Sequence, residues 1–154
     1  MKRVVLFLLA AAFAASPATA TARRTHKVRV INKTTYVKLT DVAFADNDSS
    51  NTPSPGDIET YTVNQFDRQG GTRIGTGHGY CVLGVNPFST CTTVLKDTRG
   101  NRLVMEWDND ATRTTNKFAI VGGTGRYRTS RGEGTLSVQN GDATTYSMKL
   151  TIIG

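Results

Sequence analysis

Beyond its first 20 residues the sequence has no apolar run long enough to span a bilayer, and it has no segment with helical periodicity. Cysteine and histidine are scarce, with 2 of each, and neither type shows the spacing of metal ligands. These absences argue against a membrane-spanning protein, a helical fold and a metal site. We therefore expect no metal and no cofactor.

Charge is also modest. The formal net charge of +7 falls to +5 without Lys2 and Arg3. Most basic residues alternate with other residues along the chain and do not cluster beside aromatic side chains, as they would in a nucleic-acid-binding surface. We expect no nucleic-acid partner.

The N-terminal stretch MKRVVLFLLAAAFAASPATA has the pattern of a secretory signal peptide. A basic start precedes the apolar run 4–15, and an A-T-A cleavage sequence ends at Ala20. A single-pass anchor is the alternative, but the apolar run is too short for it. The sequence predicts removal of residues 1–20, one domain over 21–154, a secreted extracellular product and no membrane association.

The rest of the chain predicts an all-β domain. Short segments of alternating or apolar character are separated by turn sequences such as RQGG, DTRGN and QNGD. Because no helix is available to cover an open sheet, we expect the strands to close into a barrel or a sandwich. The predicted strands are 26–31, 35–44, 58–67, 72–83, 91–96, 102–107, 116–121, 132–139 and 143–152.

Two of these segments show which face is buried. Leu103, Met105 and Trp107 share one face of their strand, and the polar face opposite carries Glu106. In 72–83, glycine occupies alternate positions, which either lets a barrel strand bend or leaves interior volume empty. We therefore expect an apolar ligand cavity, with these candidate lining residues: Leu103, Met105, Trp107, Leu136, Tyr146, Met148 and Leu150.

Both cysteines, Cys81 and Cys91, lie in the exported part of the chain. An even cysteine count in an oxidising compartment favours a disulfide. Gly84, Asn86 and Pro87 can turn the chain between them. We expect the bond to join neighbouring strands.

The glycine-rich stretch FAIVGGTGRYRTSRGEGTLSV, residues 118–138, raises the question of a phosphate-binding loop. Such a loop delivers its anion to a helix N-terminus, but a strand pattern follows these glycines and no Lys-Ser or Lys-Thr pair does. We therefore assign Gly122, Gly123 and Gly125 to a structural turn between two strands.

Two segments resemble the allene oxide cyclase and dirigent barrel superfamily. They are GDIETYTVNQFDRQGGTRIGTGHGYCVL, residues 56–83, and AIVGGTGRYRTSRGEGTLSV, residues 119–138. The resemblance implies an eight-stranded antiparallel closed barrel with a central apolar cavity, often assembled as a trimer. It also implies cofactor-free cyclisation, isomerisation or coupling of an apolar small molecule by confinement. Cys81 corresponds to the cyclase's cavity cysteine, whereas the cyclase's first-strand glutamate has no counterpart and its cavity asparagine falls on Val63.

Three functional hypotheses follow: a secreted cyclase or dirigent-like guide, a barrel that only binds an apolar molecule, and a structural extracellular barrel. The candidate catalytic residues are Asp41, His78 and Tyr80. Asp41 follows Val37 and Leu39 at alternate positions, so it is either a cavity acid or a surface charge. His78 is either a general base or a hydrogen-bonded structural group.

Overall fold

The computed structural model describes residues 28–141 and 143–154, and the predicted signal peptide and His26 lie outside them. The chain forms eight antiparallel strands and one 3-10 turn, Gly125–Tyr127. The strands are β1 Val30–Ala45, β2 Ile58–Phe66, β3 Arg73–Leu83, β4 Phe88–Asp97, β5 Arg102–Asp110, β6 Thr115–Gly123, β7 Arg131–Val138 and β8 Thr145–Ile153. No helix in the described part of the chain has the length and hydropathy needed to cross a membrane.

The strands pair in sequence order and close into a barrel, as the sequence predicts. Closure depends on β1, whose first part pairs with β8 from Val30 to Lys38 and whose second part pairs with β2 from Tyr36 to Ala45. The prediction of separate strands at 26–31 and 35–44 is wrong. The polar residues between them continue the ladder, because every one of them pairs with a residue of β8.

The expected buried face is confirmed. Leu103 and Met105 of β5 are buried, as are Met148 and Leu150 of β8, whereas Glu106 is exposed. Alternation in antiparallel strands directs one set of side chains into the barrel and the other into solvent. The core is therefore the barrel interior.

The glycines of β3 serve close packing. Gly79 pairs with Tyr61 on one side and with Thr93 on the other. A Cβ at Gly79 would lie 2.6 Å from the Tyr61 ring and 2.5 Å from the backbone oxygen of Thr92. The space beside this glycine is thus occupied by the tyrosine, which crosses β3 to reach Thr93. The alternative that the glycines leave empty volume does not hold at this position.

The second glycine cluster lies at the end of β6 and the turn after it. Gly122 and Gly123 are the last two residues of β6, and Gly125 begins the 3-10 turn with φ of 58°. The predicted turn contains Gly125, whereas Gly122 and Gly123 belong to the strand before it, and the reason for glycine also differs at Gly123. Its φ is not positive, and a side chain there would collide with the backbone oxygen of Arg102.

The expected disulfide between Cys81 and Cys91 is present. The two residues face each other directly across β3 and β4, with their Cα atoms 4.0 Å apart. Both side chains are buried on the interior face. The disulfide is therefore part of the wall of the barrel interior.

Candidate ligand-binding site

One end of the barrel interior holds a cavity of about 250 Å³. This volume is slightly below the roughly 300 to 1,000 Å³ of typical drug-sized ligand sites, so the cavity suits a compact ligand. All eight strands contribute to its wall, which is formed by Val37, Leu39, Glu59, Tyr61, Val63, Cys81, Cys91, Thr93, Leu95, Met105, Trp107, Asn109, Ala111, Arg113, Asn116, Phe118, Leu136, Val138, Ala143, Tyr146 and Met148. Four of these residues are aromatic, and such walls favour flat apolar ligands.

A buried hydroxyl pair lies in this wall. The hydroxyl oxygens of Tyr61 and Thr93 are hydrogen-bonded at 2.5 Å. Burial raises the pKa of Tyr61 to about 12, so this phenol is protonated at neutral pH. The pair therefore contributes neutral polar groups and no nucleophile.

The polar groups at the mouth of the cavity are largely bound to one another. The side-chain amide of Asn116 donates to the Oδ1 of Asn109 at 3.0 Å, and the amide of Asn109 donates to the hydroxyl of Ser89 at 3.3 Å. Arg113 forms an ion pair with Asp110 at 2.9 Å. These contacts fix the positions of the polar side chains at the mouth of the cavity.

Trp107 differs from these residues. Its indole Nε1 is buried, and none of the described residues accepts a hydrogen bond from it. Buried tryptophan N–H groups usually have a partner, because an unpaired buried donor costs about 1 to 3 kcal/mol. Trp107 lines the cavity, but its Nε1 has less than 1 Å² of accessible surface, so other atoms of the indole form the wall.

Glu59 is a site residue that the sequence analysis missed. It is the only carboxylate among the described residues that line the cavity, and none of them forms an ion pair with it. Glu59 pairs with Cys81 across β2 and β3, which places it on the interior face with Tyr61 and Val63. The alternation Glu59, Tyr61, Val63 was the signal in the sequence that could have identified it.

Glu59 and Trp107 belong to a single row across the wall. Cys81 pairs with both Glu59 and Cys91, and Cys91 pairs with Trp107. The row therefore runs over four adjacent strands, with the disulfide between a carboxylate and an indole. Adjacent strands lie about 4.8 Å apart, so the two ends of the row are separated by about 14 Å along the wall.

A group of carboxylates lies outside the cavity, in the loop between β1 and β2. Oxygens of Asp46, Asp48 and Asp57 lie within 4.8 Å of one another. Every one of these oxygens accepts a hydrogen bond from a backbone or hydroxyl donor of the same loop. The backbone N–H of Asn47 donates to Asp57 and keeps the pKa of this buried carboxyl below its usual value, despite desolvation. Hydrogen bonds within the loop therefore explain why these three carboxylates lie close together.

Comparison with solved structures places the barrel among known folds. No family model and no curated protein matches the chain. Among solved structures, a pyocyanin demethylase shares 25% identity over 78% of this chain and 99% of its own, with a TM-score of 0.63. A pterocarpan synthase dirigent protein shares 15% identity over 84% of this chain and 87% of its own, with a TM-score of 0.67. The Diels-Alderase AbmU from Streptomyces koyangensis shares 18% identity over 86% of this chain and 70% of its own, with a TM-score of 0.61.

The fold is that of the dirigent and cyclase barrels. This confirms the resemblance noted in the sequence and the eight-stranded closed architecture. Five of the seven predicted lining residues do line the cavity: Met105, Trp107, Leu136, Tyr146 and Met148. Leu103 and Leu150 are buried in the core and instead border a separate pocket.

The three candidate catalytic residues lie on the outside of the barrel. A bulge between Leu39 and Asp41 shifts the register, so Asp41 pairs with Thr62 and is exposed. His78 pairs with the same threonine from the other side and is also exposed, and Tyr80 is 46% exposed. None of the three lines the cavity. The bulge, which the sequence pattern does not reveal, is the reason that Asp41 leaves the face of Val37 and Leu39.

Proposed function

We propose that this protein binds an apolar small molecule in the cavity and guides its cyclisation, isomerisation or coupling. The observation that carries the proposal is the cavity itself, an aromatic chamber with one carboxylate in its wall. Such a chamber holds a flexible or reactive molecule in one conformation, and confinement lowers a barrier by prepaying the entropy of orientation. The fold likeness to dirigent proteins and Diels-Alderases supports the same function.

We also propose that the protein is secreted after removal of residues 1–20 and that it assembles into a homo-oligomer. Both proposals come from the sequence. The disulfide supports export, because such bonds persist in oxidising compartments. The trimer is the assembly implied by the superfamily resemblance.

Native mass spectrometry of the protein recovered from its culture medium tests these proposals. We expect a chain that starts at Thr21, an oligomer, and a bound mass in the range of a compact organic molecule. Leu136→Trp should abolish the bound mass, because Leu136 lines the cavity and the larger ring fills it. The matched control is Thr135→Trp, which places the same ring on the neighbouring residue, outside the cavity lining. A bound mass that survives Leu136→Trp would contradict the cavity as the site.

A non-catalytic binding barrel is the second candidate, favoured by the way Asn109, Asn116 and Arg113 are engaged with protein partners. Glu59 distinguishes the two functions, because a cyclisation or isomerisation that moves a proton can use this carboxylate as its base. Glu59→Gln should keep the molecule found by mass spectrometry bound and slow its conversion by about 100-fold, the lower end of the range for general base catalysis. If chromatography shows that the variant converts the molecule at the wild-type rate, the binding function is favoured.

A further inference from the structure

A second pocket, of about 250 Å³, lies at the end of the barrel opposite the cavity. On β2 this pocket is lined by Gln65, near the end of the strand, whereas the cavity is lined by Glu59, near its start. No residue lines both. The second pocket is therefore a separate candidate site.

The rim of this pocket is positively charged. Its exposed lining residues include Lys33, Arg99 and Arg126, and Asp97 is its only carboxylate. Arg126 forms an ion pair with Asp97 at 2.7 Å, whereas no described residue forms an ion pair with Lys33 or Arg99. Lys33 pairs with the buried Leu150 across β1 and β8, so it projects from the interior face of the barrel. A rim with two unpaired cations favours an anionic ligand.

A buried amide lies deeper in the second pocket. The Gln65 residue is 9% exposed, and its Nε2 donates to the hydroxyl of the fully buried Thr35 at 3.2 Å. Its Oε1 accepts no hydrogen bond from the described residues. Among the buried and half-buried side chains that the structure describes, only the Trp107 Nε1 is both enclosed and unpaired, so the Gln65 Oε1 retains accessible surface. This oxygen is an acceptor to which a ligand hydroxyl can donate.

We propose that the second pocket is a binding site for a compact anion that also carries a hydroxyl group. Lys33 and Arg99 attract the anionic group, a phosphate or a carboxylate, at the rim. The hydroxyl of the ligand donates to the Oε1 of Gln65. The site is independent of the function proposed for the cavity, because the two share no residue.

Three small probes test this site: glycerol 3-phosphate, propyl phosphate, which lacks the hydroxyls, and glycerate, which carries a carboxylate in place of the phosphate. Calorimetric titration at low ionic strength should show that the wild-type protein binds glycerol 3-phosphate about tenfold more tightly than propyl phosphate, the ratio expected for one buried hydrogen bond. In Gln65→Met the preference should disappear, because methionine is of similar length and has no amide. Tighter binding of glycerol 3-phosphate or of glycerate identifies the anionic group, and either order supports the site.

The charge of the rim is tested by Lys33→Met, which should weaken the binding of glycerol 3-phosphate about fivefold, as expected for one exposed ionic contact. The matched control is Lys38→Met, which removes the same charge from an exposed position of the same strand outside the pocket. We expect the control to keep the wild-type affinity. Equal affinity of the wild type for glycerol 3-phosphate and propyl phosphate, an equal loss in the two lysine variants, or no binding of any probe would overturn the inference. None of these results bears on ligand binding in the cavity.

Discussion

Replacing Cys81 and Cys91 together by serine is expected to lower the free energy of unfolding by about 2 to 3 kcal/mol. The disulfide closes a loop with a sequence separation of 10. For a loop of that length, removing the constraint on the denatured state is expected to cost about this much free energy. Urea denaturation followed by circular dichroism measures the change. The substitution also places two hydroxyls in the cavity wall, so ligand affinity should fall with stability.

The wild-type protein provides its own control for this prediction. A reducing agent should destabilise the wild type by a similar amount and leave the serine variant unchanged. Alkylation of the denatured protein without reductant should find no free thiol. Two alkylated cysteines, or a serine variant as stable as the wild type, would contradict the role assigned to the bond.

Gly123→Val should cost about 3 kcal/mol, at the upper end of the range for overpacking a well-packed site. The added Cβ collides with the backbone oxygen of Arg102, and a backbone atom cannot rotate away as a side chain does. The Tyr127 Cβ, 2.8 Å from the same position, closes the other side. Thermal unfolding followed by circular dichroism should show a clearly lower midpoint.

Gly141→Val is the matched control, because a Cβ at Gly141 meets no atom within 4 Å. We expect this variant to stay within about 0.5 kcal/mol of the wild type, as for most surface changes. Titration with ATP should show no saturable binding to the wild type, since a strand follows the turn and no helix receives a phosphate. Equal stability of the two variants would contradict the steric role of Gly123, and ATP binding would restore the phosphate-loop hypothesis.

The fold was largely predictable because its determinants are local. Alternation marks the buried face of β5 and β8, and turn residues mark most strand ends. The cysteine pair could be placed because Gly84 and Pro87 turn the chain between them. The continuity of β1 could not be predicted, because its polar middle is held by pairing with a strand more than a hundred residues away.

The site was harder to predict than the fold. Alternation identified five lining residues, but Asp41 was assigned to the interior as one alternative, and a bulge moves it to the outside. Glu59 was overlooked because a charged residue in a strand ordinarily faces solvent. The free donor of Trp107 depends on which atoms surround the indole in three dimensions, and no sequence pattern carries that information.

Because β1 pairs with both β2 and β8, the barrel can close only after β8 has been synthesised. Only Tyr36, Val37 and Lys38 pair with both β2 and β8, so the two ladders of β1 overlap over three residues. Contacts between such distant segments form late and slowly, because the entropy of closing the long intervening chain is lost before they form. During synthesis, β1 keeps one edge open until β8 is available. The cavity is therefore complete only when β8 has paired, since Tyr146 and Met148 of β8 line it.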